Sequence, residues 1–369
     1  MGGAIKAVFL DIGGTVLETN ESSHEVYAEI LKWHGYDVTI DEAKGWLDAA
    51  RVEARRLPTG RGDGFTIVAE HERARRDLMI ESFLRRAGVG NGFNALLEAI
   101  HQSWVGTKVF PIYPDSAQAL RALREAGLIV GAVSNWESRL PDLLASHGIR
   151  DCFDFVISSE AVGYVKPGPR LFELALERAG VTPDQALYVG DDPELDVSVP
   201  EALGIRSVYV RRRPGAVVEH APTITSLVPL AGLARAEALI RGYVESGKGE
   251  AAGFTQLGWA RQQISDQLAF DPFPGTLNLR ISEARDLADW DFIRQQAGLP
   301  LEPTPGYCAG RCYPALVEGS VPCAIILPSV AGYPVDTVEV IAPLSLRDNL
   351  GLHDGSWVSL AVGGAQTPV

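Results

Sequence analysis

Four polar clusters occur in chain order, each where a short apolar strand is predicted to end: Asp11-Ile-Gly-Gly-Thr15, Ser134-Asn135, Lys166-Pro167, and Gly190-Asp191-Asp192 with Asp196. A carboxylate directly after a strand can attack phosphorus and form an aspartyl-phosphate. Asp11 is placed for that attack. Ser134 can donate a hydrogen bond to a phosphoryl oxygen, and Lys166 can offset the charge of nucleophile and phosphate together. Asp191 supplies oxygen for a hard cation, and Mg²⁺ needs only one or two protein carboxylates beside water and phosphate. Asp192 and Asp196 read as a second ligand or as support for Lys166. A lone aspartate after a strand is more often a turn residue or a helix cap. Asp11 arrives with three partners, whereas Asp192 could equally cap a helix beginning at Pro193. Trp136 and Glu137 receive no role.

A second set lies in the last third of the chain. Ser246-Gly247-Lys248-Gly249-Glu250 is a Gly-rich loop beside a lysine, and such loops let backbone N–H groups approach phosphates. An ordinary turn explains it as well. Thr276 and Asn278 lie two apart on one predicted strand and so face the same way. Both are oxygen donors suited to Mg²⁺ carrying a triphosphate. Glu339 sits inside an apolar strand, where a carboxylate either pairs structurally or accepts a hydrogen bond from a ligand.

The first set resembles the haloacid dehalogenase superfamily over about residues 5–212. The resemblance implies a phosphatase with Asp11, Ser134 and Lys166 as catalytic residues. It implies Mg²⁺ on Asp11, Asp191 and the backbone carbonyl of Gly13, and a helical cap that closes over the site and selects the substrate. One position departs from the pattern. The family's first motif usually reads Asp-x-Asp, and its second aspartate is the general acid/base; here that position is Gly13. Three readings stay open: a phosphatase using water or another acid, a different reaction such as dehalogenation or phosphonate cleavage, and a binding domain with little turnover. The Asp191 carboxylate argues for a metal and against dehalogenation.

The second set resembles the archaeal-type CTP-dependent riboflavin kinases over roughly residues 238–363. It does so on Pro272-Phe-Pro-Gly-Thr-Leu-Asn278, on Glu339-Val-Ile-Ala-Pro343, and on Leu346-Arg-Asp348 with Asp354-Gly355. The resemblance implies a small closed β-barrel that moves the γ-phosphoryl of CTP to the 5′-hydroxyl of riboflavin, giving FMN. By that match Thr276 and Asn278 hold Mg²⁺, and Gly247, Lys248, Gly249 and Glu250 form the loop against the nucleotide. Glu339 contacts the flavin or its ribityl chain. The family's Lys-Thr pair is missing; Ser329-Val330-Ala331-Gly332 stands there instead, which leaves a non-flavin nucleoside or sugar acceptor open. Together the two sets point to a bifunctional enzyme, phosphatase of a small phosphorylated metabolite and CTP-dependent kinase. The alternative is that one domain is degenerate and serves as a binding or regulatory module.

These residues need particular scaffolds. Ile5–Leu10, Leu128–Val133, Phe155–Ile157, Ala186–Val189 and Ser207–Val210 read as buried strands, with helices predicted over Pro114–Ala126, Pro169–Ala179 and Pro193–Leu203. Alternation of this kind implies an α/β, Rossmann-like parallel sheet. Residues 22–103 are almost wholly helical in pattern. Beyond Arg241 the texture changes to short strands, Gly and Pro, as in a barrel or sandwich. The expected division is therefore a hydrolase domain over 1–215 (core 1–18 and 104–215, cap 19–103), a linker over 216–237 and an all-β barrel over 238–369.

Of the 369 residues, 22% are charged, and the net charge is −14. Such a surface repels nucleic acid and anionic membranes. No apolar run approaches the ~20 residues of a membrane span, and the N-terminus runs straight into a strand, so a cytoplasmic enzyme is expected. Cys152, Cys308, Cys312 and Cys323 are too few for a disulfide scaffold, and Cys308-x₃-Cys312 is a weak zinc spacing.

Overall fold

The computed structural model describes residues 4–19, 23–58, 64–90, 92–213, 221–247 and 255–363. They form two compact units, Ala7–Arg206 and Ser207–Val369 with the first six residues, the divide falling within one strand.

The first sheet has six strands: β1 (Ala7–Leu10), β2 (Ile129–Ser134), β3 (Phe155–Ser158), β4 (Ala186–Gly190), β5 (Arg206–Val210) and β6 (Thr223–Ile224). Their order is β3-β2-β1-β4-β5-β6. All four residues of β1 are buried, as expected of a central strand covered on both faces. The sheet is parallel about β1, which pairs Leu10 with Ala132 on one side and with Val189 on the other. That register brings Asp11, Ser134 and Asp191 to one edge, the strand C-termini, where ligands bind in open α/β sheets.

Between β1 and β2 four helices build the cap: α1 (Ser23–Trp33), α2 (Ile40–Ala54), α3 (Ala69–Arg86) and α4 (Phe93–Ser103). α2 starts on a capping box, with the Thr39 hydroxyl accepting from the Glu42 N–H and the Glu42 carboxylate accepting from the Thr39 N–H. Tyr27, Leu31, Leu47, Ile80, Phe83 and Ile100 bury one apolar stripe from each helix in a shared cap core. The Trp104 indole N–H closes it by donating to the Tyr27 hydroxyl at 2.6 Å.

The helix predicted over Pro193–Leu203 is two pieces, a π-helical turn Pro193–Ser198 and a short α-helix Val199–Ala202. Pro200 has no N–H to continue an α ladder. The Asp192 side chain instead caps the turn, accepting from the N–H groups of Glu194 and Leu195 at 2.9 Å each. Asp192 thus serves as a helix cap.

The second sheet holds β7 (Ala238–Glu245), β8 (Leu277–Arg280), β9 (Leu299–Leu301), β10 (Gly310–Val317), β11 (Val321–Pro328), β12 (Thr337–Ile341) and β13 (Trp357–Val362). Their order is β11-β12-β8-β7-β13-β10-β9, and β10 also pairs with β11. Six antiparallel strands therefore close into a barrel, with β9 appended to β10. Inward residues alternate with outward ones, so Leu277, Leu279, Val338 and Val340 fill the barrel while Asn278 and Glu339 face out. A helix, Ala284–Arg294, adds Trp290 to the core edge-on to Tyr313 at 6.1 Å. In the stretch expected to be linker, Thr223–Ile224 forms β6 and Leu230–Arg235 forms a helix. No helix among the described residues is long and apolar enough to cross a membrane.

Glu318, in the turn between β10 and β11, has φ 48°. Its carboxylate accepts from the N–H groups of Ser359 at 2.8 Å and Thr223 at 3.2 Å. Burial outweighs these donors and pushes its pKa up to about 7. The folded state thus binds this proton more tightly than the unfolded chain, and its contribution to stability falls as pH rises from the ordinary carboxyl range through about 7. Thermal unfolding of Glu318→Gln beside the wild type at two pH values checks this. The melting-temperature difference should move in the variant's favour between pH values below and above that window.

Candidate active site

The centre of the hydrolase site is the Lys166 ammonium, which lies 2.6 Å from Asp11 Oδ1 and 2.6 Å from Asp196 Oδ1. All three side chains are buried. The Tyr188 hydroxyl lies 3.1 Å from the same nitrogen and donates to the Val133 carbonyl at 2.9 Å. Burial alone would lower the lysine pKa. The negative charge of Asp11 and the groups beside it override that and hold it well above the usual range, so the ammonium stays charged. Ser134 donates to the same Asp11 oxygen at 2.9 Å. Asn135 clamps the Lys166 main chain, its Nδ2 donating to the carbonyl at 3.0 Å and its Oδ1 accepting from the N–H at 2.8 Å. Asp196 also accepts from the Asp192 N–H at 3.1 Å through its other oxygen, which fixes it beneath Lys166.

Asp191 completes the cluster. Oxygens of Asp11, Asp191 and Asp196 lie within 4.8 Å of one another. Thr15 donates to Asp191 at 3.3 Å. Burial first, then the charges of Asp11 and Asp196, push its pKa up to about 7. Three carboxylates thus face one ammonium. The surplus of negative charge on hard oxygen donors is what a divalent cation such as Mg²⁺ fits. Every hydrolase-side residue singled out in the sequence, Asp11, Gly13, Ser134, Lys166 and Asp191, gathers at this edge of the sheet.

The barrel carries the second candidate site. Asn278 on β8 stands opposite Glu339 on β12 and Glu245 on β7. Thr276 Oγ1 donates to Asn278 Oδ1 at 3.2 Å. Gly247 approaches so closely that a Cβ there would overlap the Asn278 amide. Thr276, Asn278, Glu339 and Gly247 therefore form one outward patch, whereas Lys248, Gly249 and Glu250 lie outside the described residues. Arg347 donates to Asp354 at 2.8 Å, and Ser246 donates to the same carboxylate at 2.6 Å. A small recess of about 110 Å³ opens between Phe273–Leu277 and Leu344–Arg347. The Tyr333 hydroxyl donates to Glu339 at 2.9 Å. Nothing in the spacing pointed to Tyr333, which comes shortly after the segment lacking the Lys-Thr pair.

A family model described as haloacid dehalogenase-like hydrolase matches residues 5–204, more than half of the chain. The chain belongs to that family. "Haloacid dehalogenase-like hydrolase domain-containing protein 3" of Mus musculus is 31% identical over 206 residues, 54% of this chain and 79% of that protein. A crystal structure titled HAD phosphatase from Thermococcus onnurineus is 25% identical, with TM-score 0.43, covering 61% of this chain and 96% of that one. Residues 244–362 match a second model, the CTP-dependent riboflavin kinase domain, described as "Domain of unknown function DUF120". "Riboflavin kinase" of Methanocella arvoryzae is 39% identical over 124 residues, 34% of this chain and 56% of that protein. The chain thus spans little more than half the length of that kinase. A haloacid dehalogenase-like hydrolase domain and a region similar to the CTP-dependent riboflavin kinase domain thus share one polypeptide.

The hydrolase's departure at Gly13 has a structural counterpart. A Cβ at Gly13 would lie 2.8 Å from Cζ3 of Trp136 and 3.1 Å from Thr19 Cγ2. The indole, edge-on to Phe110 at 4.8 Å, covers the place where an acid/base side chain would start. Sequence reasoning assigned Trp136 no role, because its contact with Gly13 is made across 123 residues. It missed Tyr188 for the same reason.

Replacing Lys166 with Met leaves Asp11 and Asp196 buried without their cation. Breaking a buried ion pair by removing one partner costs about 3–5 kcal/mol. Urea unfolding of Lys166→Met should show a hydrolase-domain loss of that order, and a loss near zero would show that the triad does not hold the site together.

Proposed function

We propose that the chain is a bifunctional enzyme: a Mg²⁺-dependent, aspartate-nucleophile phosphatase of a small phosphorylated metabolite, and a kinase that moves the γ-phosphoryl of CTP to riboflavin, giving FMN. The observation that carries the first half is the pair of 2.6 Å contacts that hold Lys166 between Asp11 and Asp196. Ser134 and Lys166 both fix one oxygen of Asp11, which orients the carboxylate toward an incoming phosphorus. Asp11 attacks, the bond from phosphorus to the leaving oxygen breaks, and water then hydrolyses the aspartyl-phosphate. Lys166 stabilises charge on the transferring group. Asp11, Asp191 and the Gly13 carbonyl would hold Mg²⁺, which supplies further neutralisation of the phosphate. With Gly13 covered by Trp136, the leaving oxygen takes its proton from water or from the substrate.

On the barrel, Thr276 and Asn278 are the proposed Mg²⁺ ligands, and Gly247, Lys248, Gly249 and Glu250 are the proposed contacts to the CTP phosphates. Glu339, held by Tyr333, is the proposed acceptor contact. Catalysis of phosphoryl transfer is mostly positioning and neutralisation, which a preformed polar patch can supply. The two halves act on different molecules, since opposed reactions on one molecule would be a futile cycle. The missing Lys-Thr pair supports a second reading, in which the acceptor is a non-flavin alcohol.

Two experiments separate these readings. Asp11→Asn should lower hydrolysis of a phosphate monoester by at least about 10³-fold, as expected when a nucleophile is lost; an unchanged rate would mean that the site works without Asp11. Incubation with riboflavin, Mg²⁺ and either CTP or ATP should yield FMN with CTP, and Asn278→Ala should reduce it at least about tenfold. No FMN with either nucleotide removes riboflavin as the acceptor and favours the second reading.

A further inference from the structure

Between the cap and the strand ends lies a cavity of about 540 Å³, large enough for a small organic molecule. Its floor is Asn135 and Trp136, beside the Asp11 cluster, and its roof is α2 and α3. The charges that line it do not balance. Arg76 is fully engaged, 3.3 Å from Glu137 and 2.8 Å from Glu160. Arg139 adds a contact to Glu137 at 3.0 Å, and the Ser138 N–H donates to Glu160 at 2.6 Å. That network is closed and close to neutral.

Three more arginines line the same cavity. Arg55, the C-cap of α2, is exposed and has no ion-pair partner among the described residues. Among the described residues, Arg75 has one ion-pair partner, Glu72, one turn away on α3, at 4.0 Å. Arg51 is steadied by Asp48 at 3.3 Å and by Ser23 at 3.0 Å. Beyond the closed network the lining offers Glu72, and Asp48 pairs with Arg51 from outside it, so among the described residues these three cations meet two carboxylates. A positive cavity is notable in a chain of net charge −14. From Trp136 in the floor, Phe110 and Trp104 continue edge to face, with ring centroids 4.8 and 6.4 Å apart.

We propose that the hydrolase site takes a phosphate ester whose organic part is flat and apolar and carries a second anionic group. The phosphoryl group meets Asp11, the flat body lies along Trp104, Phe110 and Trp136, and the second anion meets Arg51, Arg55 and Arg75. Guanidinium forks bind a carboxylate or a second phosphate in two parallel hydrogen bonds. The assignment rests on the phosphatase reading, because it places one end of the substrate at Asp11.

The test is calorimetric binding to the full-length chain with Mg²⁺, using ligands that cannot be hydrolysed: phenylphosphonate, 4-carboxyphenylphosphonate and 1,4-phenylenebisphosphonate. At least one doubly anionic ligand should bind at least about tenfold tighter than phenylphosphonate, the worth of one charge-assisted hydrogen bond. Which of the two gains more distinguishes a carboxylate from a second phosphate. Arg55→Gln and Arg75→Gln together should abolish the gain. Arg73→Gln, on the exposed side of α3 and outside the cavity, should keep it. Equal binding of all three ligands, no binding by any of them, or a gain that survives the double variant overturns the proposal. Hydrolysis of p-nitrophenyl phosphate by the wild type reads the phosphatase separately. Discrimination without hydrolysis keeps the anion subsite and sinks the phosphatase, and hydrolysis without discrimination does the reverse.

Discussion

One ammonium group organises the larger site. Lys166 is buried with two buried carboxylates against it, and removing the shared cation would leave both acids without their ion-pair partner. The arrangement ties three separate pieces of chain to one point: the end of β1, the loop before Pro167 and the turn after β4. Everything around it serves the same end. Asn135 grips the lysine backbone, Tyr188 fills the remaining donor direction, and the π-helical turn after Asp192 swings Asp196 underneath. Because one positive charge is divided between two acids, Asp191 is left unbalanced. Three carboxylates beside one ammonium leave a surplus of negative charge that a divalent cation would offset.

Gly13 shows how a missing functional group becomes part of the architecture. A small residue at this point lets the indole of Trp136 settle over the β1 loop, where it forms part of the cavity wall. The place for an acid has been exchanged for an aromatic surface that can touch the organic part of a substrate.

The barrel achieves its polar patch differently. Its interior is filled by Leu277, Leu279, Val338, Val340 and Trp290, so any chemistry must sit on the outer face. Asn278 is the hub there, with Thr276 beside it in sequence, Glu339 and Glu245 beside it across strands, and Gly247 pressed onto its amide. Backbone pairing fixes most of these positions, so the patch forms without bound ligand.

Much of this was legible in the order of residues. A carboxylate, a hydroxyl and a second carboxylate, each after an apolar run, point to a parallel sheet with a polar edge, because strand ends expose such groups beside a buried centre; Lys166 was expected at a strand end too but reaches the edge from the loop beyond β3. The change to short strands, Gly and Pro after residue 241 likewise pointed to a β-rich second domain. What tertiary structure decided was everything set by contacts between distant segments. Asp192 turned out to cap its own helix while Asp196 reached the lysine, since the two prolines of that turn redirect the chain. Trp136, Tyr188 and Tyr333 acquired partners that no local spacing encodes. The pairing of Arg76 with two acids, which leaves Arg55 and Arg75 facing the cavity, depends on how the cap helices lie over the sheet. A linear pattern sets which face of an element is buried; which side chains then neutralise one another is settled only when the elements pack.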